Sequence, residues 1–308
     1  MATRKRLRTN NLSEEDNTPV CPRHFLLLIP LLATVAACSP FSVINQLSPS
    51  DHYRLAPNIA YGEFDRQTLD MYMPHASVDA SPVVVFFYGG AWRKGAKENY
   101  EFVASSLTEA GYVVVIPDYR VFPDVVFPAF VEDGAQAVAW VLNNADDYNA
   151  DPDRVFLMGH SAGAHIAALL SLDQHYLAEH GIEPDRIRAL IGLSGPYDFL
   201  PIESGYLLDV FPQESRAASQ PVNFVTAAAP PTLLIHGSDD DLVDPANSES
   251  LAARLAEQGA DVSIRLYDGA GHAKIAVALA PALDFMGDTL EDSRRFLDAL
   301  SAPSAGQP

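Results

Sequence analysis

One short stretch constrains the fold more than any other part of this 308-residue sequence. A buried apolar run at 155–158 breaks at Gly159, and an alanine- and leucine-rich helix follows Gly163. In this strand–turn–helix context, the pattern Gly-x-Ser-x-Gly forms a tight turn that projects the serine hydroxyl from the top of a sheet. The helix start would direct N–H groups and the positive end of its dipole to the same place. We therefore predict a catalytic serine at Ser161, with a purely structural turn serine as the alternative.

The composition argues against several classes of partner. A formal net charge of −20 disfavours binding to nucleic acid and to anionic lipid. Both cysteines, Cys21 and Cys38, precede the predicted domain, so we expect no disulfide within it. We find no Cys/His cluster with zinc-site spacing and no glycine-rich nucleotide fingerprint, and we expect neither a metal nor a cofactor.

The N-terminal segment has the features of an export signal. Basic residues precede an apolar run at 25–37, which is too short to span a bilayer comfortably but fits a signal peptide. The run ends in Val35-Ala36-Ala37-Cys38, which resembles a bacterial lipobox. We expect a signal peptide over 1–37 and a lipid anchor at Cys38. Because Ser39 follows, we expect a lipoprotein on the periplasmic face of the outer membrane. The alternatives are an ordinary secretory signal with an incidental cysteine, or a short membrane-associated segment.

Strand and helix patterns alternate over residues 59–300 and predict one α/β domain. We expect about eight strands in a mostly parallel sheet, with helices on both faces. A tether is predicted over 38–58 and a disordered tail over 301–308. The segment 200–231 lacks a regular period but carries several aromatic and aliphatic residues. We interpret it as a small lid that lines an acyl pocket, and the alternative is a surface loop packed on the domain.

Three further motifs follow predicted strands, and open α/β sheets build their sites at such strand ends. They are Tyr88-Gly89-Gly90-Ala91-Trp92, an acidic loop at 237–245, and Gly271-His272. Acyl transfer needs a nucleophile, a base and a carboxylate that orients the base. The chain supplies Ser161, the acidic loop and His272 in the order typical of one hydrolase fold. The candidates for the acid are Asp239, Asp240, Asp241 and Asp244, with Asp198 as a remote alternative.

The position of His272 on a glycine-flanked loop favours it as the base. The other candidate histidines are placed less well. We expect His160 to pack on the sheet, His165 to lie one turn into the helix, and His236 to be a core histidine at a strand end.

These motifs, in this order, resemble those of the α/β-hydrolase superfamily, in particular its carboxylesterase and hormone-sensitive-lipase-like branch. The resemblance extends from about residue 59 to residue 300. It implies an α/β-hydrolase fold and hydrolysis of small to medium acyl esters through an acyl-enzyme, without a cofactor. The family spacing selects Asp240 as the acid, with Asp241 next. It also implies an oxyanion hole made by the N–H groups of Gly90, Ala91 and Ala162.

One residue departs from the family pattern, which usually has histidine where this chain has Tyr88. The departure leaves the subfamily and its substrate open. A similarly placed Gly-Gly-x-Trp loop occurs in amidases and arylformamidases, which are the second enzymatic hypothesis. A third hypothesis is a lipid-anchored envelope protein that only binds a ligand, and the complete Ser, Asp and His set argues against it.

Overall fold

The computed structural model describes residues 40–75, 79–203 and 205–301. The predicted signal peptide, Cys38 and nearly all of the predicted tail lie outside these ranges. Within them, no helix is both long enough and apolar enough to cross a bilayer.

Eight strands form one sheet in the order β1-β2-β4-β3-β5-β6-β7-β8. Strand β2 pairs antiparallel with β1 and with β4, and all other neighbouring strands are parallel. The prediction of an eight-stranded, mostly parallel sheet is confirmed. The strands are β1 Tyr53–Ala60, β2 Thr68–Pro74, β3 Ser81–Phe87, β4 Val113–Pro117, β5 Ala150–His160, β6 Ile187–Leu193, β7 Thr232–Gly237 and β8 Val262–Tyr267.

The helices cover both faces of the sheet. The chain steps from β3 to β4 in one direction and from β4 to β5 in the other, so right-handed crossovers put the connecting helices α2 and α3 on opposite faces. The described α-helices are α1 Pro40–Leu47, α2 Glu101–Glu109, α3 Ala129–Asn144, α4 Ala162–Leu172, α5 His175–Ala178, α6 Leu207–Val210, α7 Ala246–Glu257, α8 His272–Val277 and α9 Thr289–Ser301. Short 3₁₀ turns lie at Lys97–Tyr100, Ala145–Tyr148, Pro184–Arg186, Gln213–Ser215, Pro221–Phe224 and Pro281–Met286.

The central strands are continuous apolar runs because both of their faces are covered. Residues 83–87 of β3 and 155–158 of β5 are completely buried. Such runs are typical of parallel strands between two helical layers. The rigid centre of the sheet therefore carries the turn that contains Ser161.

The structure corrects the tether predicted for residues 38–58. Residues 40–47 form helix α1, and β1 already begins at Tyr53. The ring of Phe41 stacks on Tyr100 with 5.1 Å between centroids. The Asn45 side chain donates to the carbonyl of Glu98 and accepts from the N–H of Phe102. The Ser/Pro/Asn-rich composition concealed a short amphipathic helix that packs on the domain.

The predicted lid also takes a different form. Within the described part of 200–231, Val210 and Phe211 are fully buried. The Phe211 ring meets Trp92 edge-on at 4.9 Å between centroids, and it lies 5.3 Å from the ring of Phe199. The packing of Val210 and Phe211 favours the alternative interpretation of this segment, a surface loop packed on the domain.

Candidate active site

Ser161 lies between the end of β5 and the start of α4, at φ 56° and ψ −123°. A non-glycine residue rarely adopts this backbone conformation, and holding it costs on the order of 1–3 kcal/mol. Both flanking glycines are required by close backbone contacts. A Cβ on Gly159 would collide with the backbone of Gly163, and one on Gly163 would collide with the backbone of Phe87. This turn over residues 159–163, called the elbow below, therefore has the strained, glycine-flanked geometry that the sequence predicts.

The predicted base and the predicted acid are in contact. His272 is the first residue of α8, and its Nδ1 lies 2.7 Å from Oδ2 of Asp240, a residue 32 positions earlier in the chain. The other oxygen of Asp240 accepts the N–H groups of Leu242 and Val243, each at 3.0 Å. A carboxylate can only accept, so Nδ1 of His272 carries the proton. Its Nε2 is then the nitrogen available to accept a proton from a substrate or a nucleophile.

The hydrogen bonds around Asp240 keep it ionised. Burial by itself raises the pKa of this carboxyl, but hydrogen bonds from His236, His272 and the N–H of Val243 outweigh burial. Together they hold its pKa well below its usual range. The acid therefore keeps its negative charge beside the imidazole at neutral pH.

His236 is a residue whose contact with the site the sequence did not predict. It is buried, as expected of a core histidine, and its Nε2 lies 3.1 Å from Oδ2 of Asp240 and 2.9 Å from the carbonyl of Val243. Its Nδ1 lies 2.7 Å from Oγ of Ser248. Because the Val243 carbonyl only accepts, Nε2 is the protonated nitrogen, and Nδ1 accepts the serine hydroxyl. The spacing of four residues between His236 and Asp240 was the available sequence signal.

The other acidic candidates do not contact His272. The carboxylate of Asp198 accepts the hydroxyl of Ser250, and that of Asp239 accepts the hydroxyl of Ser238. Asp241 is exposed, and the Asp244 carboxylate accepts the N–H of Ala246.

Two more histidines lie near the elbow, and both are neutral. Nε2 of His160 is 3.2 Å from the carbonyl of His272, and the two rings are 4.8 Å apart between centroids. Burial, and then the neighbouring His272, lower the pKa of His160 to about 3. His165 is buried with Nε2 2.7 Å from the carbonyl of Ser219, and burial lowers its pKa to about 4. An uncharged His160 adds no positive charge beside the predicted base.

Ser161 and His272 line one open cleft of about 510 Å³. No hydrogen bond joins Ser161 Oγ to His272 Nε2 in the described structure, and such contacts commonly tighten only when substrate binds. The cleft wall is mostly apolar, and none of the described residues of 200–231 belongs to it. Its remaining lining residues are Phe41, Gly89, Gly90, Ala91, Lys94, Gly95, Asn99, Tyr100, His160, Leu242 and Ala273.

Free N–H groups lie beside the serine. The loop after β3 presents Gly90 and Ala91, and α4 begins at Ala162. Within the described residues, the N–H groups of these three make no hydrogen bond. A Cβ on Gly89 would lie 3.0 Å from Cβ of Ser161, which shows how closely the loop approaches the elbow. Gly90 and Ala91 therefore line the same cleft as Ser161, and their N–H groups have no acceptor among the described residues.

No group of three or more His, Cys, Asp or Glu residues in the described ranges could hold a metal ion. The cleft contains a serine hydroxyl and an imidazole, and the carboxylate of Asp240 contacts that imidazole.

The BD-FAE family model matches residues 69–255 of the chain, which is the part that carries the β3 loop, the elbow and the acidic loop. The chain belongs to the BD-FAE family. This BD-FAE chain is 31% identical over 291 residues to esterase LipQ of Mycobacterium tuberculosis. The alignment covers 83% of the chain and 69% of that relative. It is 34% identical over 240 residues to a probable isoprenylcysteine alpha-carbonyl methylesterase of Arabidopsis thaliana, covering 70% of the chain and 50% of the relative. The chain thus spans about half the length of that plant relative.

Solved structures share the fold of this BD-FAE chain. Thermogutta terrifontis esterase 2, phosphoramylated by tabun, is 25% identical with a TM-score of 0.70, covering 83% of this chain and 98% of that one. A truncated carbohydrate esterase from gut microbiota, 23% identical, superposes with a TM-score of 0.73 over 83% of this chain and 100% of that one. The predicted resemblance to esterases of the α/β-hydrolase superfamily is confirmed.

Proposed function

We propose that this protein is a serine carboxylic-ester hydrolase that acts through an acyl-enzyme on small to medium acyl esters. The observation that carries the proposal is the 2.7 Å contact between His272 Nδ1 and Asp240 at a cleft that also contains Ser161. The unpaired N–H groups beside the serine support it. So do the curated relatives, which carry the names of esterases.

The reaction follows from the protonation states. His272 Nε2 takes the proton of Ser161 as Oγ attacks the ester carbonyl, and the N–H groups of Gly90, Ala91 and Ala162 bind the oxyanion. Ionised Asp240 stabilises the imidazolium. The intermediate collapses when His272 returns the proton to the departing alcohol oxygen, which leaves the acyl group on Ser161. A water molecule then repeats the sequence and releases the acid.

The decisive experiment compares the full chain with Ser161→Ala on p-nitrophenyl esters from acetate to long-chain acyl groups. We expect Ser161→Ala to lower kcat by about 10⁴-fold or more. Ser171→Ala is the matched control, since Ser171 lies on the same helix and bonds only to the carbonyl of Ala167. Equal turnover by the wild type and a folded Ser161→Ala would contradict the proposal. A preference for p-nitroanilides over matched p-nitrophenyl esters would instead favour the amidase hypothesis.

We also propose that Cys38 carries a lipid that anchors the protein at the periplasmic face of the outer membrane. The lipobox-like Val35-Ala36-Ala37-Cys38 and the preceding apolar run support this. Metabolic labelling with an alkyne fatty acid should label the wild type and not Cys38→Ala, and Cys21→Ala is the matched control. Equal labelling of Cys38→Ala and the wild type would contradict the anchor.

A further inference from the structure

The departure from the family pattern at Tyr88 has a structural counterpart behind the β3 loop. Tyr88 directly follows β3 and is fully buried. Its hydroxyl donates to Oδ1 of Asp118 over 2.5 Å and accepts from Nη2 of Arg66 over 2.8 Å. Burial, and then the neighbouring Tyr119 and Asp118, raise the pKa of Tyr88 well above its ordinary value, so the phenol remains a donor.

The same two partners also hold the far end of the loop. Oδ1 of Asp118 accepts the N–H of Lys97 at 3.0 Å, and Nη2 of Arg66 donates to the carbonyl of Gly95 at 2.9 Å. The loop of residues 89–95 thus follows Tyr88 and ends at Gly95, two residues before Lys97. The Asp118 carboxylate and the Arg66 guanidinium therefore each link Tyr88, at the start of the loop, to a residue at its end.

Ring packing fixes the Tyr88 side chain. Its ring stacks on Tyr119 at 4.8 Å and on Tyr100 at 5.7 Å between centroids. The Tyr119 hydroxyl donates to the Tyr88 carbonyl at 2.7 Å. A Cβ on Gly95 would lie 2.7 Å from the Tyr88 ring, so the loop rests directly against it. A change at the Tyr88 hydroxyl is thus transmitted to the loop by contact.

The loop needs such support because its backbone is strained. Ala91 and Trp92 have φ angles of 55° and 56°, in the left-handed region that non-glycine residues rarely adopt. Two successive residues of this kind persist only where the surrounding structure holds them. Ala91, the first residue of the strained pair, also lines the cleft, and its N–H has no acceptor among the described residues.

We propose that Tyr88, Asp118 and Arg66 are positioning residues that clamp the 89–95 loop in the conformation in which Gly90 and Ala91 can bind an oxyanion. This inference rests on the proposed function. In this proposal Tyr88 affects transition-state binding indirectly, because it positions the loop whose N–H groups bind the oxyanion.

The test is Tyr88→Phe, which removes the hydroxyl and keeps the stacked ring. A phosphonate titrant gives the concentration of active sites, so that rates are expressed per functional site. We expect kcat/KM per site to fall about 10- to 100-fold, because a small misplacement of oxyanion donors weakens transition-state binding. The affinity for a trifluoromethyl ketone, which forms a tetrahedral adduct with serine, should fall by the same factor. KM should change less than twofold.

Tyr112→Phe is the matched control. Tyr112 is also buried, and its hydroxyl donates to an aspartate, Asp298, at 2.7 Å. It is absent from the residues that line the cleft. We expect Tyr112→Phe to lower thermal stability about as much as Tyr88→Phe and to leave kcat/KM per site unchanged.

Two further variants test the chemistry of the clamp. Tyr88→His supplies another ring donor toward Asp118 and should recover most of the loss. Asp118→Asn combined with Tyr88→Phe should lose no more activity than the worse single variant, because both act on one contact. If Tyr88→Phe and Tyr112→Phe both keep full kcat/KM per site, the clamp has no role beyond stability and the inference is overturned.

Hydrogen exchange separates this inference from the proposed function. Amides of residues 89–97 should exchange faster in Tyr88→Phe than in the wild type or in Tyr112→Phe, whatever the reaction. Unchanged exchange would overturn the clamp while leaving Ser161-dependent turnover intact. Faster exchange in a protein without ester turnover would contradict the proposed function alone.

Discussion

At the residue scale, neighbouring aspartates on one loop have different environments. Asp240 is buried with two histidines on one oxygen and two backbone N–H groups on the other. Asp241, the next residue, is exposed. The carboxylate in contact with His272 is therefore at one position of the loop.

Asp240→Asn tests the assignment of Asp240 as the acid. It keeps the size of the side chain but removes the charge and favours the wrong tautomer of His272, so we expect kcat to fall about 10³- to 10⁴-fold. The measurement is ester turnover at pH 7 by folded, purified protein. Asp241→Asn, the matched control, should keep turnover within about twofold. A larger loss in Asp241→Asn than in Asp240→Asn would reverse the assignment of the acid.

At the element scale, helix α1 supplies one wall of the cleft. Its Phe41 lines the cleft and stacks on Tyr100. The Asn45 side chain accepts the N–H of Phe102 in α2 and so holds α1 against that helix. Its Val43 is 48% exposed on the outer side. A segment near the start of the described chain thus contributes to the cleft wall, whereas none of the described residues of 200–231 lines the cleft.

Phe41→Ala should change chain-length preference. Removing the ring takes apolar contact from long acyl or alcohol groups, so we expect kcat/KM for long-chain p-nitrophenyl esters to fall about tenfold. Acetate turnover should stay within about twofold, because a short ester does not reach this wall. Val43→Ala, on the exposed side of the same helix, is the control. Equal losses on acetate and long-chain esters would mean that Phe41 acts through stability.

At the scale of the whole molecule, buried neutral histidines make the fold sensitive to acid. Burial lowers the pKa of His160 to about 3 and that of His165 to about 4. In the unfolded chain each histidine binds a proton near pH 6.5. Between pH 6.5 and about 4 the unfolded state therefore holds more protons than the native state, and the free energy of unfolding falls as the pH is lowered.

Urea unfolding at pH 7, 6.5, 6, 5.5 and 5 measures this slope. Each buried histidine contributes up to about 1.4 kcal/mol per pH unit below pH 6.5. We expect His165→Phe to remove the contribution of one group and to flatten the slope. His180→Gln, a change at an exposed histidine, should leave it as in the wild type. A slope that is identical in His165→Phe and in the wild type would contradict the account.

The amino-acid sequence determined the features that are local along the chain. The apolar runs specified the strands, and the glycines around Ser161 specified the turn, because a Cβ at either site would collide with the backbone. The order of elements then required a parallel sheet with strand ends at one edge. Ser161, Asp240 and His272 could be nominated from that order together with the family spacing, and the latter two are in contact.

Contacts between residues far apart in the sequence depend on the tertiary fold. Asp240 bonds to His272, which lies 32 residues later in the chain, and Tyr88 reaches Arg66 because β2 and β3 both flank β4. Helix α1 and the packing of Phe211 depend on apolar surfaces that form when the domain folds. Such contacts depend on strand register and side-chain packing across tens of residues. Local periodicity carries no information about these contacts, which form only in the folded chain.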